Sequence, residues 1–361
     1  MTARLDGRAL NRATLARQFL LSRADAPVLD AVARVGGLQA QEPQEPFVGL
    51  WSRVAGFDPG DVDRLLGQRL LVRLHLMRRT VHLVTADDAW RWRPRHHALL
   101  RQRILGTWRR ELTGVDLDDL AGRAAALLAD GRPRSLGDIG RALAVGAPGP
   151  APRVLGEAVV AALVPTVQLP PRGTWRSAAG ARYLPLSAWL GRPVPVEVDP
   201  AAADAAGADL VRRYLGAFGP AASADLRAWC GLAGLPQVVA ALREELVSFR
   251  DVRGRELLDL PEAPRPDADI PAPVRFLPAF DNAVLGYHDR GRIIDDAHRG
   301  LSVAGKRLVL VNGRVGATWD AAAGGGVAVV PLRDFTAAER AEVAEEAERL
   351  AGFLARPPAG G

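Results

Sequence analysis

The feature that most constrains this chain is a recurring order of elements: two amphipathic helices and then a short strand pair, met three times before residue 261. In the first instance, residues 9–105, Leu15, Phe19 and Leu20 fall at helical spacing within 10–22. Asp25 and Pro27 open a second helix that Gly36 and Gly37 stop, and Asp58-Pro59 opens another carrying Val62, Leu65 and Leu66. Residues 71–77 and 80–85 alternate as two strands, with Arg78 and Arg79 between them. In the second instance, residues 115–190, Ser135 caps a helix over 136–143, a Gly/Pro/Ala turn follows, and a helix spans 154–163. Strands over 166–169 and 181–184 then flank the arginine-bearing segment 170–176. The third instance, residues 205–260, has helices over 210–218, 224–230 (capped by Ser223) and 237–246, the last opened by Leu235-Pro236. Strands over 247–250 and 256–259 flank Asp251-Val-Arg-Gly-Arg255.

Helix, helix and hairpin is the winged-helix order, in which one helix enters a groove of DNA and the wing touches the backbone. Any α/β chain contains one such succession; three in a row, each with arginines in its loop, carry more weight. After a Pro- and Asp-rich linker over 261–272, a strand over 274–280 leads into Asp281-Asn282. Strands over 307–311 and 314–319 flank Asn312-Gly313, a strong short hairpin signal. A strand over 326–331 and a Glu- and Arg-rich helix over 336–355 close the chain. The expected fold is α+β: three tandem winged-helix modules plus a small C-terminal antiparallel β unit, forming a concave basic DNA-binding surface. The expected boundaries are 1–105, 106–200, 201–265 and 266–361.

Composition narrows the function classes. The 361 residues carry a net charge of +6, which favours partners bearing phosphate. Lys306 is the only lysine, so the basic residues are almost all arginines, whose planar fork suits phosphates and guanine edges. A single cysteine, Cys230, excludes an intramolecular disulfide and a cysteine-rich zinc site. Residues 1–8 lack an apolar signal core, and no run approaches the ~18 apolar residues of a membrane span; the expected location is cytoplasmic. No G-x-x-x-x-G-K-[ST] is present, and Gly324-Gly-Gly326 reads as a turn, not a phosphate cradle. None of the six histidines sits in H-E-x-x-H, and His96-His97 reads as a surface pair. Neither a metal nor a nucleotide cofactor is expected, and the lack of a heptad run points to a monomer.

One short segment carries candidate chemistry. In Gly36-Gly37-Leu38-Gln39-Ala40-Gln41-Glu42-Pro43, Pro43 biases Glu42 toward extended geometry. Side chains alternate in an extended stretch, so Gln39 and Gln41 face one way and Leu38 and Ala40 the other. Two parallel amides offer two acceptors and four donors, enough to hold a water. They could equally satisfy backbone groups of the loop, and spacing alone favours that use.

The triplet Gln39-Ala40-Gln41 after an N-terminal helical pair resembles the glutamine–apolar–glutamine motif of the AlkZ-like DNA glycosylases. Arg78-Arg79-Thr80-Val81-His82-Leu83 and Phe280-Asp281-Asn282 resemble recurring segments of the same family, and the likeness spans about 9–335. The triplet is not specific by itself; the three segments in this order are. The resemblance implies three tandem winged helices with a C-terminal β portion. It also implies removal of N7-alkylated bases, in some members bulky adducts or interstrand crosslinks made by genotoxic natural products, as repair or self-resistance. A related subgroup has aspartate where this chain has Gln41, so the chain is more similar to the crosslink- and natural-product-associated branch.

On that basis Gln39 and Gln41 are the expected catalytic residues. Alkylation at N7 makes the base a cationic leaving group, so no strong general acid is needed. The sugar-cation-like transition state needs a positioned water and nearby electron density. Enzymes of this kind that also cut the strand commonly use a lysine amine, and Lys306 has no identifiable partner, so a monofunctional hydrolytic enzyme is expected. Arg78, Arg79, His82, Asp281, Asn282, His298 and Arg299 are expected DNA- or lesion-binding residues, and Trp51, Trp90 and Trp92 lie near the motif in sequence. The expected partner is double-stranded DNA with an alkylated purine. The alternative is a non-enzymatic winged-helix regulator, which shares the fold and charge but does not need the two amides; a small-molecule enzyme whose winged helices only pack together is a third class.

Overall fold

The computed structural model describes residues 3–145, 149–195, 200–233, 235–322 and 325–358, without the side chains of 200–203. The central part of the Gly/Pro/Ala turn and Gly324 of the glycine run lie outside the described residues. The chain divides into two units, one formed by residues 1–59 with 208–361 and one by residues 60–207.

Unit 1 begins with α1 (Gly7–Arg17), α2 (Val28–Arg34), β1 (Leu38–Gln39) and α3 (Glu45–Trp51). Asp6 caps α1 by accepting the Ala9 N–H at 2.8 Å. The helix buries an unusually polar face. Asn11 Nδ2 donates to the carbonyls of Arg292 and Gly313, the Thr14 hydroxyl pairs with that of Tyr287 at 2.8 Å, and Arg17 makes a two-pronged bond to Asp259 at 2.6 and 2.8 Å. Both members of the Arg17–Asp259 pair are fully buried, so each neutralises a charge that would otherwise be costly to bury. Helix α2 ends in Gly36 and Gly37, both at positive φ, and the Gly37 N–H bonds back to the Val32 carbonyl, the glycine stop expected there.

Unit 2 contains α4 (Pro59–Gly67), β2 (Leu71–His75), β3 (Val81–Thr85), α5 (Ala86–Arg95), α6 (His97–Thr107), α7 (Leu117–Leu128), α8 (Leu136–Leu143), α9 (Pro152–Ala158), β4 (Thr166–Gln168), β5 (Tyr183–Pro185) and α10 (Leu186–Leu190). Strands β2 and β3 pair antiparallel with Val72 opposite Val84, and β4 pairs with β5. The two hairpins also join each other, Arg73 of β2 opposite Gln168 of β4, so the order is β3-β2-β4-β5. That junction is not apparent from the alternation of either pair, because a local pattern carries no register between distant strands. Ser135 caps α8 in a reciprocal capping box with Asp138. Helices α8 and α9 cross at glycines: a Cβ on Gly140 would lie 1.8 Å from the Pro152 carbonyl oxygen, and one on Gly156 would lie 2.2 Å from that of Leu136. The core of this unit gathers Leu100, Ile104, Leu120, Leu128, Ile139, Leu155, Val159 and Tyr183.

Unit 1 resumes at residue 208, within α11 (Pro200–Phe218), and continues with α12 (Ser223–Cys230), α13 (Leu235–Ala241), β6 (Val247–Arg250), β7 (Glu256–Asp259), β8 (Arg275–Leu277), α14 (Asn282–Leu285), α15 (Arg299–Val303), β9 (Arg307–Val311), β10 (Arg314–Ala321), β11 (Val327–Pro331) and α16 (Ala337–Leu354). Helix α12 starts one residue earlier than expected. Ser223 is its first residue, and Asp225 accepts the Ala222 N–H in place of a serine cap. Strands β6 and β7 form a separate antiparallel pair. Strands β8 to β11 form an antiparallel sheet in the order β11-β10-β9-β8, with Asn312 and Gly313 both at positive φ in the tight β9–β10 turn. Leu15, Leu20, Leu277, Ile293, Ile294, Leu308 and Leu310 pack between α1 and that sheet. The two units group the residues differently from four successive modules: α1–α3 fall in unit 1, and the β2–β3 pair of the same stretch falls in unit 2.

Candidate functional site

The glutamine motif lies in unit 1, immediately after the glycine stop of α2. Burial alternates along it: Leu38 and Ala40 are buried, Gln39 is half-buried and Gln41 is exposed. That is the alternation an extended stretch imposes, and it puts the amides at 39 and 41 on the outer side of a segment anchored by its apolar residues.

What holds the segment is a set of buried polar side chains. Glu45, at the start of α3, accepts the Ala279 N–H at 2.6 Å through Oε2, and its Oε1 accepts Nε (2.9 Å) and Nη2 of Arg307 on β9. The carboxylate thus ties the motif's following turn to the end of β8 and to β9. Burial alone would lower the Arg307 pKa, but its hydrogen bonds to Glu45 and that residue's charge raise it on balance. Asp281 caps α14 by accepting the Ala283 N–H at 2.8 Å, and the same oxygen accepts Nη2 of Arg53 at 2.8 Å, with both side chains buried. Arg53 also donates to the Gly49 carbonyl, within α3's own last turn. Asn282 Nδ2 reaches the Gly37 carbonyl at 3.4 Å, two residues before Gln39. Asp281 and Asn282 were expected to touch DNA or the lesion. Both are buried, and these bonds run to the protein, toward the backbone that carries the amides.

His298 and Arg299 lie on the turn into α15; His298 is half-buried and Arg299 exposed, with its Nη2 donating to the His288 carbonyl at 2.7 Å. Trp51 stacks on Phe353 of α16 with the Arg23 guanidinium 4.7 Å from its ring, a packing position.

Unit 2 carries the remaining candidates. Arg78 and Arg79 occupy the β2–β3 turn, both at positive φ (57° and 66°), and Arg79 pairs with Glu157 at 3.0 Å. His82, expected to bind DNA or the lesion, is fully buried. Its Nδ1–H donates to the Thr80 carbonyl at 3.0 Å, which leaves Nε2 as the acceptor nitrogen, enclosed without a partner. Burial, and next the charge of Arg78, push its pKa well below the ordinary histidine value. His75 is held down to about 4 by burial and then by Arg79 and Arg93. Both are therefore neutral at pH 7. His96 of the expected surface pair is buried too, its Nδ1 donating to the Trp92 carbonyl at 2.7 Å. Trp92 is buried, and the Trp90 indole N–H donates to the Pro193 carbonyl at 2.8 Å.

Sequence reasoning missed Glu45, Arg53 and Arg307. Their significance lies in partners more than 200 residues away along the chain, and Glu45 in a run of Glu, Pro and Gln has no local signature. Among the described residues no group of three or more His, Cys, Asp or Glu side chains is arranged to hold a metal ion, and no helix is long and apolar enough to cross a membrane.

Comparison with known proteins places these segments in one family. No protein of curated function matches the chain. A solved structure of Streptomyces sahachiroi DNA glycosylase AlkZ superposes with a TM-score of 0.78 at 22% identity, covering 98% of this chain and 99% of that one, which establishes a shared fold. Residues 32–353, a span holding the glutamine motif, the β2–β3 turn and Asp281-Asn282, match the family described as DNA glycosylase AlkZ-like, and the chain belongs to that family.

Proposed function

We propose that this DNA glycosylase hydrolyses the N-glycosidic bond of N7-alkylated purines in double-stranded DNA, and that Gln39 and Gln41 orient the attacking water. The observation that carries the reading is the placement of the two amides on the outer side of a segment whose backbone is tied down by Asn282 and whose following turn is tied by Glu45. A fixed pair of carbonyl oxygens suits a water that must sit in line with the sugar carbon, since positioning supplies much of such a barrier. Neutral amides suffice because the chemistry asks for little acid or base. The bond from C1′ to the base nitrogen breaks, its electron pair neutralises the N7 cation, and the oxygen of water bonds to C1′. Amide carbonyls also place negative potential beside the developing positive charge on the sugar. The proton of the attacking water leaves to solvent after the bond has broken.

The products are a free alkylpurine and an abasic site in an uncut strand. Hydrolysis without an amine-linked intermediate is part of the same reading, since the chain offers a single lysine, Lys306, as a possible amine nucleophile. Arg78, Arg79, His298 and Arg299 are assigned to the DNA backbone or the lesion strand, whereas Asp281, Asn282 and His82 support the residues that make contact. Bulky natural-product adducts and crosslinks are candidate substrates through the resemblance of the sequence motifs to the natural-product-associated branch of the family. The winged-helix modules over 1–105, 106–200 and 201–265, and a monomeric state, belong to the same reading. Incubation of the protein with duplex containing N7-methylguanine tests it. Strand cleavage appearing only after alkali is the expected result, and duplex left intact after alkali contradicts it.

A further inference from the structure

In unit 1, a cleft of about 260 Å³ opens between the start of α1 and the β9–β10 turn. It is lined by Gly7, Arg8, Asn11, Arg12, Asn312 and Arg314, three arginines and two asparagines with no carboxylate. Arg12 is only 2% exposed, and its hydrogen bonds all end on neutral oxygens: Ile270 O at 2.7 Å, Asn11 Oδ1 at 2.6 Å, Asn312 O at 3.3 Å and Asn312 Oδ1 at 2.7 Å. Burial and then the neighbouring Arg8 charge pull its pKa down, and the charge of Asp269 offsets this only in part. Arg8 and Arg314 have carboxylate partners, but exposed ones: Asp269, 3.7 Å away, and Asp295. Solvent screens both pairs, so they offset little of the positive potential. Asn312 spends its Oδ1 on Arg12, which leaves its Nδ2 as a further donor at an exposed turn. The neighbouring cleft of about 150 Å³ differs: its Arg253 and Arg255 face Asp251 and Asp289 and are neutralised in place.

We infer that the Arg8–Arg12–Asn312–Arg314 cleft is an anion site for one phosphate group, and that a phosphate of the DNA backbone occupies it when the protein is on duplex. Guanidinium forks and an amide donor around an exposed opening match the charge and geometry of a phosphodiester. The choice of DNA as the source of the phosphate rests on the proposed function; the site itself does not.

Two variants test the cleft. Asn312→Asp sets a carboxylate of nearly the same shape against Arg12, in a turn position that aspartate tolerates, and so places a negative charge in the cleft itself. Arg8→Ala removes an exposed cation and leaves the buried Arg12 and the half-buried Arg314 in place. Duplex affinity is measured across salt, base release in single turnover at saturating protein, and Tm in phosphate against chloride at equal ionic strength. The expected result is that each variant binds unmodified duplex about three- to tenfold more weakly at 0.15 M salt, and that the slope of log affinity against log salt becomes shallower by about one. Base release stays within about twofold of the parent, and the Tm rise in phosphate shown by the parent is lost. Unchanged affinity and slope in both variants overturn the inference, and if phosphate still raises the parent's Tm in a variant-sensitive way, the cleft holds free phosphate instead of DNA. Failure of the parent to release any base contradicts the proposed function, and the salt slopes still decide the cleft.

Discussion

At the level of single residues, amides that face outward are distinct from the buried charges that hold them. Glu45 accepts three bonds while buried, so Glu45→Gln, which keeps the shape and removes the charge opposite Arg307, is expected to cost about 2 kcal/mol of stability, read as a lower denaturant midpoint at unchanged slope. Base release should slow while duplex affinity holds, because the turn after Gln41 loses its anchor; equal slowing of both would assign Glu45 to general stability alone. The buried histidines give the protein an acid limit. The unfolded chain holds His75 near its ordinary value of about 6.5, while the folded chain holds it at about 4, through burial and then Arg79 and Arg93. Unfolding therefore takes up a proton between those values. The stability due to the neutral form is complete above about pH 6.5 and is lost as pH falls toward 4, at up to about 1.4 kcal/mol per pH unit. His82 acts in the same direction. Thermal melts from pH 7 to pH 4 should show this loss, and a His75→Gln protein should show a shallower one; parallel curves would contradict it.

At the level of helices and strands, packing depends on where one backbone must come close to another. The α8–α9 crossing is built on Gly140 and Gly156, whose missing Cβ atoms let each helix lie on the other's carbonyls. Gly140→Ala is expected to destabilise by about 1–3 kcal/mol or more, because the obstacle is backbone and cannot swing aside. A Tm within 1 °C of the parent's, roughly what a quarter of a kcal/mol would shift, would contradict that packing. Elements were the most legible level of the sequence. The β6–β7 and β9–β10 strands, the Ser135 cap and the glycine stop at 36–37 are set by turn and cap chemistry within a few residues, and the sequence alone located them. The union of the β2–β3 and β4–β5 hairpins was not legible, since Arg73 and Gln168 meet only through tertiary register. Nor was the polar buried face of α1, where Asn11, Arg12, Thr14 and Arg17 replace the apolar stripe that periodicity looks for.

At the scale of the whole molecule, the chain's order and its assembly differ. Unit 1 draws α1–α3 together with everything after residue 207, and bonds such as Arg17–Asp259 and Asn11–Gly313 join its two ends. A linear reading therefore recovers the succession of helices and strands but not which segments share a core. The candidate site was half legible. The spacing of Gln39 and Gln41 gave their common side, whereas the burial of Asp281, Asn282 and His82 depends on what the rest of the fold lays over them. The central claim is that the two outward amides, not the fold's affinity for DNA, carry base release. Single-turnover release of N7-methylguanine by the Gln39→Ala/Gln41→Ala double variant, beside its duplex affinity, tests this most directly. The account predicts release slowed at least a hundredfold, about 2.7 kcal/mol or more of lost transition-state stabilisation, with affinity within about threefold of the parent. Release at the parental rate, or release and affinity lost in equal proportion, would contradict it.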